Sequence, residues 1–410
     1  MTWLDKLHHP EKYARMFLKW GGLGILMGFA GGAIGSGFHY VLHFVTHLRI
    51  SHNWLIWLLP LGGLLTVGIY RLFGLRNNRG TNEIIDAILE NNRVSAWIAP
   101  AIFLSTTTTH LLGGSAGREG AALQLGGGVA SWTARVLKLN ENDRTVLIMS
   151  GMSAVFGGLF GTPLTACIFV LEFISVGRIF TPALVPCYLS ALVASLGAQV
   201  LGIQPETHIL TQAVPFTVSI TFRYMALAVL VSILGIAMCH FFHTAEHLAH
   251  KILKNPWIRI AAGGAAIALL TFAVGDQRFN GAGMELALEA VEGHADWYAF
   301  LLKILFTAVT LVAGFKGGEI VPTFCIGATF GCVVGGLLGL DPGIAAAAGL
   351  VGLFCCVTNA PLAAIVLSVE MFGTSNLYLL GMVCVICFLL SGNSSLYSSQ
   401  KLQFSKTEMK

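Results

Sequence analysis

Nine stretches of this chain contain no Asp, Glu, Lys or Arg: 20–48, 50–70, 94–117, 145–171, 179–205, 224–245, 320–340, 342–369 and 371–400. Each reaches or exceeds the about 20 residues that a helix needs to cross a bilayer. Inside lipid a backbone must satisfy its own hydrogen bonds, so these stretches read as helices rather than open strands. Only 11% of the 410 residues are charged, against about a quarter in soluble domains. That composition argues against a soluble enzyme and against a disordered chain. A net charge of +4 leaves no basic stripe for nucleic acid. The expected class is an all-α polytopic membrane protein with ten to fourteen helical segments. The 48 glycines fit close packing between such helices.

The ends carry Lys6, Lys12, Arg15 and Lys19 on one side and Lys401, Lys406 and Lys410 on the other. By the positive-inside rule both termini are expected in the cytoplasm, in a multi-pass protein of an inner or plasma membrane. Residues 1–19 lack the apolar core and small-residue cleavage site of a signal peptide. The nine cysteines, including Cys355–Cys356 and the pair Cys384 and Cys387, lie in apolar runs and read as packing residues rather than a redox or metal pair.

The chain also repeats itself. Gly151 and Phe156 fall on Gly349 and Phe354, Pro163-Leu164 on Pro361-Leu362, Ala166 on Ala364 and Glu172 on Glu370, all at one offset. Further upstream, Gly117-Arg118-Glu119-Gly120 lies over Gly318-Glu319-Ile320-Val321, and Gly126 over Gly327. The expected organisation is a first membrane repeat over 1–202, a linker over 203–216, a second repeat over 217–400 and a cytoplasmic tail over 401–410. Duplicated membrane halves mark secondary transporters, whose sites lie at the midplane where helices break. The runs most broken by Gly, Pro or polar residues are 77–83, 113–128, 157–163 and 314–322. Helix N-termini exposed there favour an anion.

Arg118 and Glu119 stand between long uncharged runs, and an ionisable residue at membrane depth is a functional candidate. The bland alternative is a structural Arg–Glu pair at a helix start. Neighbours on a helix do not face each other, so separate partners are expected. A carboxylate at an anion site can act as a tethered anion: it occupies the site when charged and leaves when protonated.

These residues resemble the CLC family of chloride channels and antiporters. The family's Gly-Arg-Glu-Gly hallmark stands here as Gly117-Arg118-Glu119-Gly120, and its Gly-Gly-x-x-x-Pro signature as Gly317-Gly318-Glu319-Ile320-Val321-Pro322. The helix that opens with Pro and closes in Glu runs from Gly161-Thr-Pro-Leu164 to Glu172, and the late tyrosine is Tyr397. The resemblance spans nearly the whole chain. It implies two inverted-topology repeats whose broken helices meet at a midplane anion site, and a homodimer with one pore per subunit. It implies that Glu119 is the gating and proton-carrying carboxylate. It places anion-binding groups at Gly117, Arg118, Gly318, Ile320, Val321 and the Tyr397 hydroxyl.

Three departures are informative. The family's first motif usually reads Gly-Ser-Gly-x-Pro, whereas the best match here is Gly80-Thr81-Asn82-Glu83-Ile84 without a proline, so Thr81 or Asn82 takes the serine's place. Phe173 follows Glu172, where chloride antiporters often carry an internal proton-relay glutamate. Glu319 replaces an apolar residue. Together they resemble the fluoride/proton antiporter branch. An amide offers two N–H donors where a hydroxyl offers one, which suits a small, strongly hydrated anion. The expected function is proton-coupled fluoride export. The alternative is a chloride/proton antiporter or passive chloride channel of the same fold. Glu319 is either a proton relay or a structural acid bonded to local N–H groups.

Two motifs point elsewhere. His243-Thr-Ala-Glu-His247 matches an inverted zincin pattern, and His240, His243, His247 and His250 share a helical face. The run ends an apolar helix just before Lys251 and Lys254, so it reads as an interfacial helix end. Gly113-Gly-Ser-Ala-Gly117 lacks the sheet that a nucleophile elbow needs. An intramembrane hydrolase is the discounted alternative, and no enzyme activity, cofactor or metal is expected. Residues 206–223 and 276–297 read as polar interruptions. Only 13 residues follow Tyr397, so no nucleotide-binding tail domain is expected.

Overall fold

The computed structural model describes residues 10–403 and 406. The expectations placed on Lys6 and Lys410 lie outside the described residues. Among those described, sixteen α-helices and one pair of short strands form. The first half holds α1 (Pro10–Ser51), α2 (Leu59–Leu72), α3 (Thr81–Leu89), α4 (Ile98–Leu111), α5 (Glu119–Val136), α6 (Glu141–Phe160), α7 (Pro163–Glu172) and α8 (Leu184–Val200). The second holds α9 (Val218–Ile252), α10 (Pro256–Val274), α11 (Met284–Val291), α12 (Ala299–Ala313), α13 (Ile320–Leu337), α14 (Pro342–Thr358), α15 (Pro361–Phe372) and α16 (Leu377–Leu390). Strands β1 (Ser175–Val176) and β2 (Lys401–Leu402) pair in parallel and tie the C-terminal segment to the end of α7.

The helix count exceeds the ten to fourteen expected, because uncharged runs are not single crossings. Among the described residues, six helical segments are long and apolar enough to span a membrane, and five apolar helices are shorter, at 10–17 residues. The run 145–171 breaks at Gly161, which takes the left-handed conformation (φ 70°) after α6, and α7 then opens on Pro163. The run 342–369 breaks in the same way at Asn359 (φ 56°), and α15 opens on Pro361. Gly and Asn are the residues that tolerate this left-handed helix end, and Pro suits the first helical position. The intervening Thr162 and Ala360 share nearly the same backbone angles, φ −117° and −120°.

The two halves meet as an inverted pair. Glu172, the last residue of α7, accepts hydrogen bonds from Leu362 N (3.1 Å) and Ala363 N (2.9 Å) at the start of α15. Glu370, near the end of α15, accepts from Leu164 N (3.0 Å) and Thr165 N (2.8 Å) at the start of α7. Each carboxylate therefore fills the open N–H groups of the other short helix, which requires the two to lie antiparallel. Glycine does the packing nearby. A Cβ on Gly126 would run into the Gly151 carbonyl, and one on Gly327 into the Gly349 carbonyl. These crossings, α5 on α6 and α13 on α14, are repeat equivalents. Gly126, Gly127 and Gly128 thus serve helix contact, rather than lining a site as the glycine count of 113–128 suggested.

Candidate anion and proton site

The two glycine-rich breaks touch at the centre of the molecule. Gly117 N donates to Gly318 O and Gly318 N donates to Gly117 O, both at 2.7 Å, in an isolated antiparallel bridge. Helix α5 begins at Glu119 on one side of this bridge, and α13 begins at Ile320 on the other. Two helix N-termini, each with a positive dipole end, are thereby held beside each other by the sequence pair that the repeat had matched. The Gly117 and Gly318 N–H groups, expected to face an anion, are spent on this bridge.

The Glu119 carboxylate is fully buried. Its Oε2 accepts a hydrogen bond from Val321 N (3.2 Å), so the carboxylate sits at the N-terminus of α13. Its Oε1 has no hydrogen-bond partner and lies 3.8 Å from Arg118 Nε. Arg118 precedes α5 rather than lying within it, which is why it approaches Glu119 although adjacent helical residues would not. It also has the separate partners expected of it: an ion pair with Glu206 and a hydrogen bond from Nη1 to His39 Nδ1 (3.1 Å). All three line a cavity of about 480 Å³, together with Arg49, Arg278 and Val321.

A second cavity of about 700 Å³ is lined by Thr81, Asn82, Gln124, Glu319 and Tyr397. Three buried polar atoms of these residues have no protein partner: Gln124 Oε1, Glu319 Oε2 and the Tyr397 hydroxyl. Buried polar groups are nearly always hydrogen-bonded, so three orphans on one cavity mark a place for a bound ion or water. Asn82 Oδ1 accepts from Ser399 N (3.0 Å), which leaves its NH2 end for the cavity. Thr81 Oγ1 lies against Gly120, 3.3 Å from where a Cβ there would stand. Tyr397 packs its ring edge-on to Phe173 (centroids 5.5 Å). The segment that carries it is pinned by Gln400, whose Nε2 donates to Phe173 O (2.5 Å) and Thr358 O (2.7 Å). Phe173 therefore supplies packing at the position where chloride antiporters often carry a relay glutamate.

Sequence reasoning missed several participants. His39 and Glu206 reach Arg118 across 79 and 88 residues, with no local pattern to announce them. Gln124 stands two residues before the run Gly126–Gly128, and no motif marks it. Lys303 is fully buried and donates to Ser115 Oγ (3.1 Å), Phe279 O (3.1 Å) and Gly281 O (2.8 Å), which braces the break before Glu119 from α12. The His240–His250 face runs along the second cavity through His243 and His250, and His243 Nε2 bonds the Ser395 carbonyl oxygen (2.7 Å). Among the described residues no group of three His, Cys, Asp or Glu is placed to hold a metal ion.

Comparison with known proteins agrees on one family. The family model described as voltage gated chloride channel matches residues 62–392. A Pseudomonas syringae protein named chloride/fluoride channel protein is 32% identical, over 98% of this chain and 91% of its own length. A Vibrio vulnificus protein named H(+)/Cl(-) exchange transporter ClcA is 25% identical, over 92% and 88%. The crystal structure of a CLC-type fluoride/proton antiporter matches with a TM-score of 0.91 at 32% identity, covering 94% of this chain and 98% of that one. A slow cyanobacterial Cl-/H+ antiporter matches in fold, with a TM-score of 0.75 at 18% identity and coverages of 91% and 94%.

Proposed function

The chain belongs to the voltage-gated chloride channel family, and from that membership we propose that it is a fluoride/proton antiporter that uses Glu119 as its moving carboxylate. The observation that carries the reading is the seat of that carboxylate. Its Oε2 occupies the Val321 N–H at the mouth of α13, where a free anion would otherwise bind. A charged Glu119 plugs the pathway. Protonation from the outer cavity removes the charge that holds it there, and the side chain leaves. Fluoride then passes outward while the carboxyl delivers its proton inward. The Tyr397 hydroxyl and the Asn82 amide supply donors on the inner side, with Thr81 and Gln124 completing that wall. Glu319, facing the same cavity with an oxygen unpartnered, is placed to receive the proton. The N–H of Ile320 belongs to the same helix mouth.

Fluoride is preferred over chloride because the fluoride/proton antiporter is matched at 32% identity over nearly the whole fold. The protein is multi-pass, and the reading places both termini in the cytoplasm and each pore in one subunit of a homodimer. The test is purified protein in liposomes loaded with fluoride or chloride, with anion efflux and proton uptake recorded together. Fluoride efflux with proton uptake is expected, with slow chloride efflux. Glu119→Gln should keep no proton coupling and no response to outer pH. Chloride moving as fast as fluoride would leave the chloride antiporter instead. Anion flow without proton movement would make the protein a channel and remove Glu119's coupling role.

A further inference from the structure

Helix α1 carries histidines on three successive turns, His39, His43 and His47, and the i, i+4 spacing puts them on one face. Their rings follow one another along the helix, with centroids 6.3 Å apart for His39 and His43 and 4.4 Å apart for His43 and His47. All three line the outer cavity, the one that holds Arg118. Their nitrogens are used differently. A guanidinium can only donate, so His39 Nδ1 accepts from Arg118 Nη1 (3.1 Å) and the ring proton sits on Nε2. That ring cannot gain a second proton without releasing Arg118, which makes it a strut. His43 and His47 are exposed, and neither ring joins a hydrogen bond or ion pair among the described residues. Imidazole is the side chain that takes up and releases a proton near neutral pH, and these two are free to do so.

The rest of the cavity wall suits protons. Glu206, Asp276, Glu285 and Glu289 line it, against Arg49, Arg118 and Arg278. Arg118 pairs with Glu206 and Arg278 with Asp276, so those charges cancel locally. Glu285 and Glu289 are exposed, and neither side chain joins an ion pair among the described residues. A cleft with unpaired charge of one sign concentrates ions of the other, here protons and the acids that carry them. Deeper in, Arg49 Nε, His110 Nε2 and Glu206 Oε2 are buried on the same cavity without a protein partner. Orphans of this kind are completed by water, so the cavity is wet as far as Arg118. Glu119 Oε1, itself without a hydrogen-bond partner, lies 3.8 Å from Arg118 Nε. Supply is the difficulty for such a carboxylate. At a diffusion limit of ~10⁹–10¹⁰ M⁻¹s⁻¹, a group facing a solution at pH 7 meets a free proton only roughly 10²–10³ times a second. Glu119 is fully buried and is reached less often still.

We propose that His43 and His47 form a proton-collecting pair at the outer mouth that supplies Glu119. This role rests on the transport reading above and adds the proton's route to it. An acid of the outer solution, hydronium or buffer, gives its proton to a ring nitrogen of His43 or His47. The imidazolium releases a proton to cavity water, and that water passes one to Glu119 Oε1. The ring returns to neutral imidazole, the carboxylate becomes a carboxylic acid, and one proton has moved inward. Arg118 stays charged throughout, so the route runs beside it, and His39 keeps it in place. Glu285 and Glu289 draw protons to the mouth.

The test is fluoride efflux from liposomes in weak outer buffer, read with a fluoride electrode as the outer pH is varied, for wild type and the double variant His43→Gln/His47→Gln. Above neutral outer pH the double variant should be about tenfold slower than wild type, the low end of local concentration by a charged cleft. In acid, where free protons are plentiful, the gap should close. Free histidine in the outer solution, an imidazole that does not cross the membrane, should restore the lost rate and leave wild type unchanged. A double variant that matches wild type at every pH would overturn the collecting pair. So would one that is equally slow at every pH and deaf to added histidine, because that pattern belongs to a structural role. Should the double variant fail to fold, His47→Gln alone carries the test, with the same pH pattern at about threefold. A wild type that takes up no protons with its fluoride efflux sinks the transport reading itself, whereas a coupled wild type with an unaltered double variant sinks only the collecting pair.

Discussion

At the scale of single residues, the site consists of groups that the protein leaves unfinished. The Tyr397 hydroxyl, Glu319 Oε2, Gln124 Oε1 and Glu119 Oε1 are buried without partners, although a satisfied core would pair them all. That makes a direct prediction for Tyr397→Phe. The change removes an oxygen that bonds no protein atom, so the unfolding temperature should stay within a degree or two. A hydrogen bond to a charged group is worth about 1.5–3 kcal/mol, so fluoride affinity should fall roughly tenfold or more. Binding calorimetry and thermal unfolding on the same sample separate the two, and equal losses of both would mean the hydroxyl is structural. These residues were only partly legible in the sequence. Glu119 and Tyr397 stood out through their motifs, whereas Gln124 is set apart from Leu123 and Leu125 by facing a cavity, which no spacing announces.

At the scale of elements, short helices are stabilised from outside themselves. Helix α7 has ten residues and α15 twelve, and each carries at its C-terminal end the carboxylate that caps the other. Glu370→Leu should leave the N–H groups of Leu164 and Thr165 without acceptors and remove an anion from a helix N-terminus. Losses of this kind run to about 2 kcal/mol, visible as a fall of several degrees in the unfolding temperature in detergent. Glu172→Leu should behave alike at the other end. The two caps share no donor, so the double variant should show nearly additive loss, and a double variant no worse than either single would sink the reciprocal account. Gly327→Val is expected to be far worse, because its Cβ would meet the Gly349 carbonyl. The sequence showed Glu172 and Glu370 to be equivalent but could not show that they serve each other. The helix boundaries were hidden for a related reason. The break at Asn359 is buried and the one at Gly161 half-buried, and neither needs a charge, so a run without charge passes straight through them.

At the scale of the whole molecule, the duplication, the broken helices and the family were all readable from matched Gly, Pro and Glu at fixed offsets. What the chain faces on each side comes from the distribution of charge over the folded surface. Around the second cavity stand Arg71, Arg76, Arg79 and Arg259, with Lys251 in the last turn of α9, which lines it, and Lys254 just past its end. Around the first stand Asp276, Glu285 and Glu289, with Glu292 and Asp296 in the same segment. Lys and Arg are retained on the cytoplasmic side of membrane proteins, so the cavity holding Tyr397 should open to the cytoplasm and the one holding Arg118 to the outside. The buried native cysteines make this measurable without a cysteine-free background. Glu292 and Lys254 are both exposed, and neither side chain joins a hydrogen bond or ion pair among the described residues. In intact cells or spheroplasts, a membrane-impermeant maleimide should label Glu292→Cys and leave Lys254→Cys untouched until the membrane is opened. The reverse pattern would invert the molecule. Fluoride would then meet the acidic cavity first, and the protein would be built to admit the ion rather than expel it.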